Sequence, residues 1–152
     1  MCSIYMQIEN IESIHGYAMS AEASYSESPN LHYALCGKVT NLNLREALFV
    51  FQCLDTPVVL SNPKCKYMCL IGKYHPLDSI DGVQQHTIPG GKVLTLIHQG
   101  SHGSVEPTYA KLMEEVQKKQ LKLRGAPFQI YLNDCTEVKE EDQLTKVCVP
   151  IE

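Results

Sequence analysis

The chain has 152 residues and a formal net charge of −4, from 13 basic and 17 acidic side chains. With 44% hydrophobic and 20% charged residues it has enough apolar material for a core, which excludes a disordered segment. The acidic balance argues against a general nucleic-acid binder, whose footprint is a basic patch, and no apolar run reaches the roughly 18–20 residues that span a bilayer.

The opening residues Met1-Cys2-Ser3-Ile4-Tyr5 have neither a basic n-region nor an apolar h-region, so a cytoplasmic protein is expected. Seven cysteines are present, and an odd number without a secretory signal argues against a disulfide framework. Cys65 and Cys69 are the only close pair, and no second Cys/His pair with matching spacing follows. No His-Glu-x-x-His motif exists either, so no metal and no cofactor are expected. The thiols read as small buried hydrophobes.

Ile4–Ile11 and Ile14–Ala23 read as two strands. In the first, Ile4, Met6 and Ile8 alternate with Tyr5, Gln7 and Glu9. Residues 24–30 have loop composition, and residues 31–40 favour no one element. A helix is expected from Asn43, an N-cap residue with Glu46 three positions on. Leu44, Ala47, Leu48 and Phe51 follow at helical spacing. Strands follow over Lys66–Tyr74, Gly82–Ile88 and Lys92–Gln99, separated by turn chemistry at His75-Pro76, Ser79–Gly82 and Pro89-Gly90-Gly91.

Gly100–Gly103 forms a glycine-rich corner, and Ser104 with Pro107 starts a second helix running to about Gln120. Its apolar stripe is Val105, Tyr109, Leu112, Met113 and Val116. The cluster Lys118, Lys119, Lys122 and Arg124, beside Glu114 and Glu115, reads as a solvated face. Phe128–Asn133 and Leu144–Ile151 are the last strands. The order suggests an internal duplication, with pseudo-repeats at about residues 1–78 and 79–152 within a single domain of 152 residues. Two such halves bury their helices on one face of an antiparallel sheet, and the other face forms a groove at their seam.

Four segments carry a family wording. They are Thr87-Ile88-Pro89-Gly90-Gly91-Lys92-Val93; Ile97-His98-Gln99-Gly100 leading to Val105 and Tyr109; Phe128-Gln129-Ile130-Tyr131-Leu132-Asn133-Asp134; and Leu144–Ile151. In this order they resemble the GyrI-like effector-binding domain family, which includes the ligand-binding halves of AraC- and MerR-type multidrug regulators. The resemblance covers Gly82–Glu152, with a weaker match at Lys66-Tyr67-Met68. It implies an α+β fold of pseudo-twofold duplicated β-β-α-β units, an antiparallel sheet forming a groove with two helices packed on one face. The implied ligands are bulky, apolar and often cationic, held by aromatic faces and a carboxylate.

Here the chain departs from the pattern, because the family's glutamate in the third segment is Gln129. The residues expected to line the groove are Tyr67, Gln129, Tyr131, Tyr33 and Tyr109. Glu9, Glu22, Glu46 and Glu106 are the acids nearest candidate positions, and none stands out as a replacement. His98 and His102 are expected to be satisfied strand-end or loop histidines rather than ligands.

The leading expectation is a stand-alone protein whose partner is a hydrophobic or cationic small molecule, since no helix-turn-helix precedes the first strand. Direct nucleic-acid binding and membrane association are not expected. The alternative is a protein partner, as in inhibition of DNA gyrase, with Glu137–Asp142 as an acidic contact. Hydrolysis of electrophilic natural products ranks third. That chemistry needs a carboxylate beside the substrate, and Gln129 cannot supply one, so an enzyme is not the favoured reading.

Overall fold

The computed structural model describes residues 6–152 except 56 and 135. Ile4 and Tyr5 of the expected first strand, and Cys2 and Cys135, lie outside the described residues. In chain order the elements are β1 (Gln7–Ile11), β2 (Ile14–Ala23), α1 (Ser28–Cys36), β3 (Leu48–Cys53), β4 (Cys65–Lys73), β5 (Gln84–Ile88), β6 (Gly91–Gln99), α2 (Glu106–Lys118), β7 (Phe128–Tyr131) and β8 (Leu144–Pro150). They fall into two compact units. One is Glu12–Gly90; the other is Gly91–Glu152 together with the chain up to Ile11.

In the Glu12–Gly90 unit the strand order is β5-β2-β4-β3, antiparallel throughout. Tyr17 of β2 lies opposite Ile71 of β4, and Ile71 opposite Phe49 of β3. Cross-strand partners share a face, and α1 covers this one: Leu35 and Val39 join Tyr17 and Ile71 in a single apolar core. The Tyr17 hydroxyl accepts from Asn41 Nδ2 at 2.8 Å and donates to the Asp78 carbonyl, so the buried ring carries no unsatisfied oxygen. Gly16 and Gly72 face each other across β2 and β4. A Cβ on Gly72 would lie 2.0 Å from the His15 carbonyl oxygen, so only glycine permits this approach.

The other unit has the order β1-β6-β8-β7, again antiparallel. Helix α2 buries Thr108, Tyr109, Leu112 and Val116, with Val105 just ahead of it, and so presents most of the stripe expected from its sequence. Arg124 holds the end of the chain: its Nε donates to the Ile151 carbonyl at 3.0 Å and its Nη2 to the Lys92 carbonyl at 2.9 Å. Among the described residues no helix is long and apolar enough to cross a membrane.

Three expectations are corrected. No helix starts at Asn43. Asn43 Oδ1 accepts from the Arg45 amide at 3.1 Å and the Asn43 carbonyl from the Glu46 amide at 3.0 Å, which closes one turn that does not propagate. The run Leu48-Phe49-Val50-Phe51 then enters β3, because aromatic and β-branched residues gain more on a half-buried pleated surface than in a short helix. The first helix lies earlier, at Ser28–Cys36, across the segment read as loop and the one left open. Its buried positions are Ser28, His32 and Leu35, a stripe at helical spacing that is two-thirds polar and so shows no apolar period. Ser104 does not cap α2 either. It closes a 3-10 turn at His102–Ser104, donating to the Ser101 carbonyl at 2.8 Å, and the helix ends at Lys118.

Candidate functional site

Strand β7 alternates. Phe128 and Ile130 point to one face and Gln129 and Tyr131 to the other. The Gln129 face is the one α2 packs on, since Tyr109 of α2 reaches it. Tyr109 Oη donates to Gln129 Oε1 at 2.5 Å, and Gln129 Nε2 donates to Tyr131 Oη at 3.2 Å. Gln129 is fully buried and Tyr109 nearly so, whereas Tyr131 is partly exposed. The fixed amide therefore orients both phenols, and Tyr131 presents the outer edge of the set.

A histidine loop closes one side. The His102 ring lies 4.6 Å from the Tyr131 ring, tilted by 42°. His98 of β6 is almost fully buried and satisfied, as its sequence context suggests. Its Nε2 lies 3.0 Å from the Ser101 carbonyl, which can only accept, so in the neutral ring Nε2 carries the proton. Its Nδ1 then accepts from the Thr108 hydroxyl at 3.2 Å. His102 departs from the expectation: its Nε2 is buried and has no hydrogen-bond partner. Burial, and after it the neighbouring His98, hold the His102 imidazole below its ordinary range, so the ring is neutral at pH 7.

The remaining expected site residues lie in the Glu12–Gly90 unit. Tyr67 on β4 is 1% exposed and donates to the Ser24 carbonyl at 3.2 Å. Its ring is 5.1 Å from Phe51, which meets Tyr25 edge-on at 5.0 Å. Burial pushes the Tyr67 hydroxyl above its ordinary pKa, with Cys69 and Glu27 adding to the shift. Tyr33 lies on α1 with 82% of its surface exposed. The structure thus joins Tyr109, Gln129 and Tyr131 by hydrogen bonds on the face that α2 covers, not on the opposite face where the groove was expected, buries Tyr67 among other rings, and leaves Tyr33 in solvent. A cavity of about 270 Å³ in this unit, lined by Met19, Lys38 and Val83 among others, includes none of these tyrosines.

Among the described residues, none of the four candidate acids Glu9, Glu22, Glu46 and Glu106 takes the place of the family's glutamate beside Gln129. Glu9 is paired: Lys146 Nζ is 2.9 Å from its Oε1, and the Thr95 hydroxyl donates to its Oε2 at 2.7 Å. Those partners hold its carboxyl below the usual range. Lys146 alternates along β8 with Thr145 and Val147, the partners of Tyr131 and Gln129, so the ion pair lies on the opposite face. Glu22 and Glu46 are exposed, and Glu106 sits in the first turn of α2, where the helix dipole explains it.

Among the described residues, Cys53, Cys65, Cys69 and Cys148 are buried core residues and Cys36 is partly buried. Cys69 and Cys148 are buried, and burial pushes each thiol up to about 12, so neither is a nucleophile at neutral pH. Cys65 donates to the Val59 carbonyl at 3.4 Å.

The fold has solved relatives. The crystal structure of the EcmrR C-terminal domain superposes with a TM-score of 0.80 at 17% identity, covering 97% of each chain. In the EcmrR–DNA complex the TM-score is 0.79, and this chain spans 57% of the length of EcmrR there. SAV2435, solved bound to tetraphenylphosphonium, gives 0.65 at 15% identity, over 98% of this chain and 94% of that one. A hydrolase encoded by lin2189 from Listeria innocua gives 0.66 at 11% identity, over 99% of this chain and 93% of that one. Among proteins of curated function, none matches the chain. The GyrI-like small molecule binding domain matches residues 6–152, which takes in every strand and helix described above. The chain therefore belongs to the GyrI-like family of small-molecule binding domains.

Proposed function

We propose that this protein binds a bulky aromatic small molecule, and by holding it either sequesters it or senses it for a protein partner. The observation that carries the reading is the Tyr109–Gln129–Tyr131 set, a buried amide that fixes two phenols with one ring partly open to solvent. Fixed aromatic faces bind flat or bulky apolar groups at low entropic cost. The tetraphenylphosphonium held by SAV2435 is such a molecule, and the shared fold makes it the natural first probe. Because Gln129 is neutral, affinity here rests on ring packing and hydrogen bonding more than on charge. The reading of residues 1–78 and 79–152 as pseudo-repeats is supported by the matching strand orders β5-β2-β4-β3 and β1-β6-β8-β7, in which β1 and β5 have changed places.

Calorimetric titration with tetraphenylphosphonium tests the assignment. Tyr131→Ala is expected to weaken binding about tenfold or more, the equivalent of ~1.4 kcal/mol, while the protein stays folded. Tyr33→Ala, at an exposed position, serves as the control and leaves affinity unchanged. Unchanged affinity in a folded Tyr131→Ala variant removes this set from the site.

A further inference from the structure

Among the described residues, two buried side-chain atoms have no hydrogen-bond partner, and both belong to the Tyr131 neighbourhood: His102 Nε2 and Thr145 Oγ1. Thr145 is fully buried. On β8 it lies directly opposite Tyr131 of β7 on one side and His98 of β6 on the other. Cross-strand partners project to the same face, so Thr145 shares a face with Tyr131 and His98. The His102 ring meets Tyr131 at 4.6 Å. Its neighbours are accounted for: His98 is bonded to Thr108 and Ser101, and Tyr131 accepts from Gln129.

Buried polar groups are nearly always hydrogen-bonded, and each exception calls for a cause. A buried hydroxyl left unpaired opposes folding, so Thr145 destabilises the free protein at this position. The two atoms also have complementary capacities. A hydroxyl donates and accepts, and a neutral imidazole nitrogen does one or the other.

We infer that His102 Nε2 and Thr145 Oγ1, beside the Tyr131 ring, form a polar subsite that takes a neutral hydroxyl group carried on an aromatic ligand. The inference rests on the small-molecule reading above and narrows it to phenol-type compounds. A ligand hydroxyl donates to one of the two atoms and accepts from the other, whichever tautomer His102 adopts. Its ring stacks with Tyr131. A cation gains nothing from this subsite, because the buried groups around it are neutral.

The test compares 2-naphthol with naphthalene, which differ by the hydroxyl alone, in wild type, Thr145→Val and His102→Phe. Thr145→Val keeps the side-chain shape, and His102→Phe keeps a ring against Tyr131. Wild type is expected to bind 2-naphthol about tenfold more tightly than naphthalene. Each variant should bring that ratio to about one, with naphthalene affinity preserved. Thr145→Val should also melt at the same or a higher temperature than wild type. A ratio near one in wild type overturns the inference, as does a ratio unchanged in both variants. A lower melting temperature for Thr145→Val overturns it too, since the hydroxyl would then already be satisfied in the free protein. Tetraphenylphosphonium separates the two levels of the argument. If it binds while the naphthalene pair is not discriminated, the subsite alone is wrong. If none of the three compounds binds, the small-molecule reading fails with it.

Discussion

At Gln129 a single side chain sets the character of the proposed site. Its amide accepts from one phenol and donates to another, which a carboxylate cannot do. Gln129→Glu would let both phenols donate to the new carboxylate and keep it ionised. The expected outcome is a change of preference: tetraphenylphosphonium gains about tenfold relative to tetraphenylborate, its anion of matched shape. Equal affinities for the two ions in the variant would show that Gln129 does not face the ligand. Tyr109→Phe removes only the hydroxyl that donates to Gln129. Urea unfolding should show a loss of about 1 kcal/mol, against less than about 0.5 kcal/mol for Tyr33→Ala on the exposed face of α1.

Elements are decided by pairing as much as by local preference. Strands β2, β4, β6 and β8 were legible because their alternation or apolar runs are strong and turn residues bound them. Helix α2 was legible from Pro107 and a continuous stripe. Helix α1 was not, because its buried positions include Ser28 and His32, whose polar side chains break the apolar period; His32 Nε2 lies 3.0 Å from the Val50 carbonyl, a bond that no periodicity displays. Leu44, Ala47, Leu48 and Phe51 fit a helical period from Asn43 onward; the register of Leu48–Cys53 against β4 overrides it. The same pairing makes Gly72 a sensitive position. Gly72→Ala forces a methyl against the His15 carbonyl and must separate β2 from β4, so thermal or urea unfolding should show a loss of about 3 kcal/mol or more. A near-neutral result would mean that the two strands do not approach as described.

Across the molecule, the family assignment rests on the whole described chain, while the parts of the site differ in how readable they were. The Gln129 and Tyr131 spacing announces a shared strand face. Tyr109 reads equally well as a stripe residue, and only its 2.5 Å bond to Gln129 separates the two roles. Thr145 and His102 carry no sequence signal beyond strand period, because an unsatisfied hydroxyl is a property of packing. The Glu9–Lys146 pair makes a contribution to stability that depends on pH. The Glu9 pKa is lowered on folding, so its contribution is fully present above the unfolded value near 4.5 and is lost as pH falls through the folded one. Glu9→Gln should therefore be less stable than wild type at pH 6, with the gap closing as pH falls below 4. A gap that persists at pH 3 would assign the loss to packing instead.

On the function proposed above, the chain holds an aromatic small molecule without needing a charge on it. A thermal-shift panel of tetraphenylphosphonium, triphenylphosphine oxide and tetraphenylborate at matched concentrations tests this most directly. A ligand that binds only the folded state adds about 2.7 kcal/mol at one hundred times its dissociation constant. A clear rise in melting temperature is expected with the neutral oxide, and shifts with the two ions that do not follow the sign of their charge. A rise with the cation alone would contradict it and place a carboxylate against the ligand.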